Sequence, residues 1–511
     1  MKVSLLRTIL KINIMQRKAI RMRKIIILIG VILILTSCST ETKNLDQLIH
    51  NGEFSEAIKI IELQLQKKAI LSINETNKLQ GKLNDLLAVK REYTLTYAEV
   101  YKKLKTKIAD LSELDMDNWT NDYSLEYYLI DGENKYYKHC IFNLFKVNKE
   151  AAKRANISNN DTYDASIYPL ETIAWFDRDS ILSKKINVAF SYFQEIGSLS
   201  DKSVLRAWIP YVRDNKFQSN IKVVHSSISD VFFSKKDNLK SMIYFEKAID
   251  KSYNSDAEWE KYITNPSQTW ISPMERPASI KDPTIVCQFI YEYESKSYYN
   301  IVNPSEIKPY NTSGQDYQNY IAETENRLFS PYLKNLSKKI IGNETNNYLK
   351  AKKIYEWICK NINWTNPKAV MGDFAEYTAK YKRGDCGAKS NLFISLCRLN
   401  KIPARSQGGW LIRPGGDHAQ HTWAQVYFES YGWIPVDATI GVRLINNQDD
   451  RLKYFYFGNC TPHHLIIYDN DSSLYPIKEF NCIYGGGSQL GAFEWKGGDI
   501  EPNVKISSYI K

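Results

Sequence analysis

Three residues in the last third of the chain, Cys386, His421 and Asp437, are of the types that together perform nucleophilic catalysis. A cysteine thiolate attacks an electrophilic carbon, a histidine moves the proton, and a carboxylate holds the histidine in one tautomer. Because the three residues are far apart along the chain, elements of the fold have to bring them together.

Cys386 lies at the start of a predicted helix, in the sequence Gly-Asp-Cys-Gly-Ala-Lys-Ser of residues 384–390. The apolar residues that follow recur at helical spacing; they are Leu392, Phe393, Leu396 and Leu399. Asp385 is a natural N-cap for this helix. A thiol at a helix N-terminus faces unpaired backbone N–H groups and the positive end of the helix dipole, and both favour the thiolate.

His421 and Asp437 lie on a predicted hairpin whose strands are joined by a turn at residues 429–432. Strand side chains alternate between two faces. The apolar even positions are predicted to face the core; they are Ala424, Val426, Phe428, Ile434 and Val436. The odd positions are predicted to line a cleft; they are His421, Trp423, Gln425, Trp433 and Asp437. If the hairpin centres near Glu429, His421 and Asp437 are opposite or nearly opposite, with Cβ atoms about 5 Å apart.

These motifs, together with Ile-Pro-Ala-Arg at 402–405 and Gly-Trp-Ile-Pro-Val-Asp-Ala-Thr at 432–439, resemble the transglutaminase-like superfamily. The resemblance implies a papain-like core in which a cysteine-bearing helix packs against a sheet. It assigns Cys386 as nucleophile, His421 as general acid and base, and Asp437 as the orienting acid. The sequence departs from the family pattern at Gln425, where glutamate is common, and at Ala438, where proline is common.

The resemblance also implies an oxyanion donor beside the backbone N–H of the cysteine, either a tryptophan or a glutamine upstream of it. Trp357 and Trp364 precede Cys386. Trp357 lies among apolar residues of a predicted helix, so Trp364 is the better candidate, although neither aligns with the family pattern.

Other histidines offer alternatives to His421. His418, three residues earlier, follows Gly-Gly-Asp and is predicted to lie on a loop, and the His-x-x-His spacing is compatible with a metal. Because no third ligand is placed near it, we expect no metal site and no cofactor. His463 and His464 are adjacent and would point to opposite faces of a strand, which argues against a site that uses both.

Residues 1–37 contain eight Lys or Arg and no acidic residue. The apolar run at 25–35 is too short to span a membrane and is typical of a signal peptide. It ends in Leu-Thr-Ser-Cys-Ser at 35–39, which resembles the bacterial lipobox and predicts lipidation of Cys38. Met22 is a more typical start for such a signal than Met1. The alternative reading is a helix that anchors the protein in a membrane.

Removing the charges of residues 1–37 reduces the formal net charge from +11 to +3. The net positive charge of the whole chain therefore gives no reason to expect a nucleic-acid partner. Of the eight cysteines, several lie in apolar stretches and none forms a short-spaced framework, so we expect few or no structural disulfides.

The predicted fold class is α+β, with a papain-like transglutaminase core preceded by a β-sandwich-like domain and an N-terminal helical region. Within it we predict a hairpin with strands at 124–130 and 136–145, and a helix at 180–196. The predicted organisation is a lipoprotein signal peptide at 1–37, helices at 38–115, a mixed α/β segment at 116–199, the β-sandwich-like domain at 200–312, the catalytic core at 313–445, and strands and loops that close the core at 446–511.

These features predict an exported, lipid-anchored cysteine enzyme of the cell envelope that cleaves amide bonds through a thioester. Hydrolysis is favoured because bacterial members of the superfamily are often peptidase-like. A protein-crosslinking transglutaminase uses the same triad and stays open as an alternative. So does a non-catalytic binding or assembly module of the envelope. The expected partners are a protein or peptide substrate and the membrane, with the oligomeric state left open.

Overall fold

The structure is a computed structural model that describes residues 45–66, 71–157, 164–195, 203–234, 241–248, 284–324, 327–366, 369–414, 416, 418–470, 492–495, 498–500 and 503–510. The predicted lipidation site Cys38 and the glycine-rich loop at 485–487 lie outside these residues. The chain divides into two compact units, one formed by residues 1–99 with 127–136 and the other by residues 100–126 with 137–511.

The first unit combines helices with a small antiparallel sheet. Its helices are α1 (Phe54–Gln66), α2 (Ile73–Glu92) and the start of α3 (Tyr97–Lys105), and its strands are β1 (Tyr93–Leu95), β2 (Tyr127–Ile130) and β3 (Glu133–Tyr137), in the order β1-β3-β2. Gly52, at the predicted break before α1, has φ of +77°, and a Cβ there would lie 2.4 Å from the Leu129 carbonyl oxygen. Only glycine fits this turn.

The predicted hairpin is present, but its second strand is shorter than expected. The strand β3 ends at Tyr137, and residues predicted to continue it form a helix, α5 (Cys140–Val147). The aromatic and β-branched residues of this stretch favour a strand locally. Its buried residues, however, include Cys140, Asn143 and Leu144, whose spacing of three and four places them on one face of a helix.

The second unit contains the remaining helices. They are α4 (Glu113–Asn121), α5, α6 (Lys149–Arg154), α7 (Ile167–Phe176), α8 (Gln315–Ile321), α9 (Pro331–Ile341), α10 (Asn347–Asn361), α11 (Phe374–Tyr381), α12 (Cys386–Leu399), α13 (Ala438–Gly441) and α14 (Asp450–Lys453). As predicted, α9 ends at Gly342, which has φ of +60°. In the described part of the chain, helices fall short of the length and apolar character that a membrane crossing requires.

Two antiparallel sheets of the second unit share one apolar core. The first has the order β15-β14-β5-β8-β7 and the second β16-β4-β9-β6. Their strands are β4 (Ser183–Glu195), β5 (Val204–Pro210), β6 (Gln218–Ser226), β7 (Phe232–Phe233), β8 (Met242–Ala248), β9 (Thr284–Lys296), β14 (Ala492–Trp495), β15 (Gly498–Ile500) and β16 (Asn503–Ile510).

The predicted helix at 180–196 is wrong, because these residues form β4, which pairs with β9 along its whole length. Its apolar residues Ile186, Val188, Phe190 and Tyr192 alternate, as on one face of a strand, and all enter the shared core. The last three strands also depart from expectation. They do not close the catalytic core, since β14 pairs with β5 and β16 pairs with β4.

In the segment predicted to be the catalytic core, α9 to α12 pack against a sheet of order β12-β11-β10-β13. The strands are β10 (Ala404–Leu411), β11 (Ala419–Phe428), β12 (Gly432–Val436) and β13 (His464–Asp469). The even-numbered apolar residues of β11 and β12 pack against α12, as the alternation predicted. Residues 454–456, in the segment predicted to close the core with strands and loops, form a turn after α14, and Phe457 forms an antiparallel bridge with Val436 at the end of β12.

Candidate active site

Cys386 is the first residue of α12, and the local sequence explains why the helix begins there. The Asp385 carboxylate Oδ1 accepts a hydrogen bond of 2.8 Å from the Ala388 backbone N–H, so Asp385 is the predicted N-cap. A Cβ at Gly384 would lie 2.4 Å from the Ala388 Cβ and 3.3 Å from Cγ2 of Thr378 on α11. The glycine therefore allows the chain to approach both helices before it turns into α12.

Among the described cysteines, only Cys386 is partly exposed. The other five, Cys140, Cys287, Cys359, Cys397 and Cys460, are buried, and all six are free thiols. Burial raises the pKa of the Cys359 and Cys460 thiols to about 12. These thiols are therefore protonated at neutral pH, and Cys386 is the one that solvent and a substrate can reach.

A side-chain bond from the helix to the sheet places Cys386 near His421. The Ser390 hydroxyl, one turn along α12, donates to the Thr422 carbonyl oxygen at 3.1 Å. Because Thr422 follows His421 directly on β11, this bond fixes the start of α12 beside the histidine. The Cys386 side chain lies close enough to the imidazole of His421 to contribute to raising its pKa.

The imidazole of His421 connects Cys386 to Asp437. Its Nε2 atom lies 2.6 Å from Oδ2 of Asp437, and both side chains are buried. Since Nε2 is used by the carboxylate, Nδ1 is the atom that faces the sulfur. The second carboxylate oxygen, Oδ1, accepts hydrogen bonds from the backbone N–H groups of Thr439 at 2.9 Å and Ile440 at 3.1 Å. The structure thus brings the three predicted residues together.

The imidazolium form of His421 and the carboxylate form of Asp437 stabilise each other. Burial lowers the pKa of His421, but the charge and hydrogen bond of Asp437, with a further contribution from Cys386, outweigh burial and raise it above its usual range. Burial raises the pKa of Asp437, yet the charge and hydrogen bond of His421 hold it well below its usual range. His421 is therefore an imidazolium and Asp437 a carboxylate at neutral pH.

Trp423 covers the imidazole of His421. The two rings stack with centroids 5.7 Å apart, and the indole Nε1 donates to Oε1 of Gln407 at 2.7 Å. The Gln407 amide in turn donates to Asp469, which accepts a hydrogen bond of 2.9 Å from Arg213. This chain of bonds fixes the indole in place, and the indole shields the His421–Asp437 hydrogen bond from water.

Sequence reasoning missed His464, which also reaches Asp437. Its Nε2 lies 3.5 Å from Asp437 Oδ2, while the neighbouring His463 contacts the Ile412 carbonyl oxygen through Nδ1 at 2.9 Å. Two adjacent strand residues face opposite sides, so one of the pair had to face the cleft side of the sheet. His418, the alternative to His421, accepts a hydrogen bond from the Arg413 backbone through Nδ1 at 3.3 Å.

The group formed by His421, Asp437 and His464 has the atoms of a metal site, since one ligand atom from each lies within 4.8 Å of the others. Two ligand atoms on tetrahedral zinc are about 3.3 Å apart. The His421–Asp437 distance of 2.6 Å is shorter than this and is a hydrogen-bond distance. The geometry is that of groups that share a proton.

Lys389 lies one turn along α12 from Cys386 and is 1% exposed. Its Nζ has no hydrogen-bond partner among the described residues. Burial lowers the pKa of this amine, and the nearby Cys359 and Asp437 act in the opposite direction. A buried amine without a partner destabilises the folded state, so its position behind the triad is unusual for a purely structural residue.

The loop before Cys386 is braced by a buried ion pair. The Nη1 atom of Arg383 lies 3.2 Å from Oε1 of Glu126, and both side chains are almost fully buried. Glu126 also accepts a hydrogen bond of 3.1 Å from the side-chain amide of Asn143, and the side-chain Oδ1 of Asn143 accepts one of 2.8 Å from the Asn366 backbone N–H. Residues far upstream of the core therefore hold the loop that carries the nucleophile.

The two tryptophans considered for an oxyanion donor differ in position. Trp364 is 41% exposed and lies on a short segment that pairs with the loop before Cys386, where the Gly384 N–H donates to the Asn363 carbonyl oxygen at 3.0 Å. Trp357 packs against the apolar core of the helices. Trp364 stays the candidate oxyanion donor.

The chain is similar in sequence to a known family and to one curated protein. Residues 334–438 match the sequence pattern of the transglutaminase-like superfamily. An uncharacterised protein of Haemophilus influenzae is 26% identical over 224 residues, which cover 35% of this chain and 60% of that protein. The chain thus spans about 60% of the length of this relative.

Solved structures similar to this chain include a candidate cysteine protease of Cytophaga hutchinsonii and the periplasmic domain of TgpA from Pseudomonas aeruginosa. The first is 14% identical with a TM-score of 0.40 and covers 64% of this chain and 91% of that one. The second is 13% identical with a TM-score of 0.26 and covers 52% and 90%. The family match and the mixed helices and strands confirm the predicted α+β fold class with a transglutaminase-like core.

Proposed function

We propose that the protein is a cysteine hydrolase that cleaves amide bonds through a thioester, and the match of residues 334–438 to the transglutaminase-like superfamily supports this proposal. The observation that supports this proposal most directly is the 2.6 Å hydrogen bond between His421 and Asp437, with Cys386 close enough to the imidazole to influence its pKa. Cys386 acts as nucleophile, His421 as acid and base, and Asp437 as the group that keeps His421 protonated and oriented.

In the first half of the reaction, the Cys386 thiolate attacks the carbonyl carbon of an amide, and a carbon–sulfur bond forms. The backbone N–H groups at the start of α12 stabilise the oxyanion, as helix N-termini stabilise negative charge. When the carbon–nitrogen bond breaks, the His421 imidazolium gives its proton to the departing amine. The products are a free amine and a thioester on Cys386.

In the second half, His421 is neutral and accepts a proton from water while the water oxygen attacks the thioester carbon. The carbon–sulfur bond breaks, a carboxylic acid leaves, and the thiolate–imidazolium pair is restored. An amine that takes the place of water would instead form a new amide. The triad is the same in both cases, so the identity of the second nucleophile distinguishes a hydrolase from a crosslinking enzyme.

Labelling with an electrophilic thiol probe such as iodoacetamide tests whether Cys386 is activated. The experiment uses a chain in which Cys38 and Cys482, which lie outside the described residues, are replaced by serine. We expect rapid labelling that is lost in Cys386→Ala, slowed in His421→Ala, and unchanged in Cys397→Ala, which removes a buried thiol. If Cys386 labels no faster than the buried cysteines, the protein is not a cysteine enzyme and the binding-module alternative is supported.

A paired assay of acyl transfer identifies the reaction. Glutamine-containing peptides and a protein digest are offered with and without a primary amine probe, and products are identified by mass spectrometry, with Cys386→Ala as control. Free carboxylates in both conditions support hydrolysis. Incorporation of the amine probe in preference to water would instead assign the protein as a crosslinking transglutaminase.

We propose in addition that the protein is exported and anchored to the bacterial cell envelope by a lipid on Cys38. The proposal is supported by the basic residues, apolar run and lipobox-like sequence of residues 1–39. Metabolic labelling with a fatty-acid probe, followed by fractionation, should show a lipidated membrane-bound protein that Cys38→Ala abolishes. Absence of label from the wild-type protein would refute the anchor.

A further inference from the structure

His464 is a second imidazole on the carboxylate of Asp437. It is the first residue of β13, and pairing with Leu411 of β10 fixes its backbone. Its Nε2 approaches Asp437 Oδ2, the same oxygen that binds His421, at 3.5 Å. Because Asp437 Oδ1 is occupied by two backbone N–H groups, Oδ2 is the atom whose charge the two imidazoles share.

The other edge of the His464 ring contacts Thr461. Its Nδ1 lies 3.3 Å from both the carbonyl oxygen and the hydroxyl of Thr461. If Nδ1–H donates to the carbonyl and Nε2 carries no hydrogen, a lone pair faces the carboxylate of Asp437, which is repulsive. A hydrogen on Nε2 removes this repulsion, either in the imidazolium or in the tautomer whose Nδ1 accepts the Thr461 hydroxyl hydrogen.

Aromatic rings hold the imidazole in this orientation. The ring centroids of Trp423 and His464 are 5.0 Å apart in an edge-to-face arrangement, and the centroid of the Tyr456 ring lies 6.2 Å from that of His464. His464 is 3% exposed, so water does not compete for Asp437. The titratable groups that face it are Asp437, His421 and Tyr456.

We propose that His464 is a positioning residue that donates from Nε2 to Asp437 and keeps the carboxylate ionised and aligned on His421. This inference rests on the proposed function. During the reaction His421 alternates between imidazolium and neutral imidazole. Its Nε2–H stays on Asp437 in both forms, but the neutral form no longer balances the carboxylate charge, so a second hydrogen-bond donor to Oδ2 stabilises that stage. His464 supplies it, so the orientation of Asp437 survives the neutral stage.

The chain offers matched variants for a test. His464→Gln retains an N–H near the Nε2 position, His464→Asn retains an amide that does not reach it, and His464→Leu removes the donor. His463→Leu is the control, since His463 is equally buried but binds the Ile412 carbonyl. The readout is the rate of Cys386 labelling by iodoacetamide as a function of pH, in folded full-length protein with Cys38 and Cys482 replaced by serine.

We expect His464→Leu and His464→Asn to slow labelling at pH 7 by about tenfold and to move the pH profile, as loss of an outer partner of a catalytic group does. His464→Gln should recover most of the rate, and His463→Leu should stay within about threefold of wild type, since it lacks this contact. Equal rates for His464→Gln and His464→Asn would overturn the inference, even if His464→Leu failed to fold. Slow labelling of the wild-type Cys386 would instead refute the proposed function.

Discussion

His421 and Asp437 are joined by a hydrogen bond of 2.6 Å although the hairpin does not pair them directly. The register pairs Ala424 with Val436, so its extension by one residue sets Trp423 opposite Asp437. The imidazole therefore reaches Asp437 diagonally, and Trp423 stacks on it from the position in between. The diagonal contact orients His421 on Asp437, and the Trp423 indole packs over the imidazole.

The carboxylate of Asp437 should control the reactivity of Cys386. Asp437→Asn removes the charge that raises the pKa of His421, and burial then favours the neutral imidazole. We expect the rate of iodoacetamide labelling at pH 7.5 to fall by at least about 100-fold, the usual contribution of acid–base groups. A labelling rate within threefold of wild type would show that Asp437 plays no part in activation.

The His421–Asp437 pair should make stability depend on pH in a defined direction. Because the pKa of Asp437 is depressed, its contribution is present above 3.8 and is lost as pH falls. Because the pKa of His421 is raised, its contribution is complete below 6.5 and is lost as pH rises above that value. The pair therefore stabilises the protein most between pH 3.8 and 6.5.

Urea unfolding of the wild type and of His421→Gln/Asp437→Asn, measured from pH 5 to pH 9, tests this dependence. The difference in the free energy of unfolding should be largest near pH 5.5 and should shrink toward pH 9. His463→Gln serves as the control for a buried histidine outside the pair. A difference that is constant or grows with pH would contradict the assigned charges.

Replacing Lys389 by methionine should stabilise the fold. The amine is buried and lacks a hydrogen-bond partner among the described residues, so an apolar side chain of similar length removes a desolvation cost of about 1–3 kcal/mol. Because the pKa of Lys389 is lowered, the unfolded chain binds more protons, and the free energy of unfolding of the wild type should rise with pH toward 10.5.

In Lys389→Met this rise should be weaker, which denaturant titrations at pH 7 and pH 9.5 can measure. The partly exposed Lys350, which lies on α10 outside the site, gives the control Lys350→Met. If Lys389→Met is less stable than wild type at both pH values, the amine has a stabilising partner that the geometry does not reveal.

The buried Arg383–Glu126 pair should be sensitive to loss of one partner. Glu126→Ala leaves an uncompensated guanidinium beside the loop of Cys386 and should lower the free energy of unfolding by about 3–5 kcal/mol. Thermal unfolding checks this value, and the exposed ion pair of Arg451 with Asp177 is a matched control whose disruption should cost at most about 1 kcal/mol. Similar losses from both pairs would contradict the inferred role of burial.

Gly384→Ala should distort the start of α12, because its Cβ would lie 2.4 Å from that of Ala388. The expected result is a loss of stability of about 1–3 kcal/mol, typical of overpacking, together with slower labelling of Cys386. Gly387→Ala is the comparison, since a Cβ there first meets Asp385 at 3.5 Å, an ordinary contact. Equal effects of the two substitutions would show that the close approach does not position the cysteine.

The sequence by itself determined the triad and the elements that carry it. Asp385 as N-cap, the apolar spacing along α12 and the alternation along β11 and β12 are local patterns, and each depends on the residue's own neighbours. The prediction failed where one stretch was compatible with both a helix and a strand. At 183–195 the alternation of apolar residues competed with a helical reading, and pairing with β9 decided the outcome.

Only the tertiary structure decided the surroundings of the triad. His464 joins Asp437, Glu126 holds Arg383, and the strands at 492–510 join the sheets of β4 and β5. Each of these contacts joins residues that are distant in sequence. The spacing of apolar and polar residues along the chain does not indicate which distant residue a side chain will contact. Helix caps and strand faces follow from nearest neighbours, whereas the second imidazole and the buried ion pair depend on which surfaces pack together.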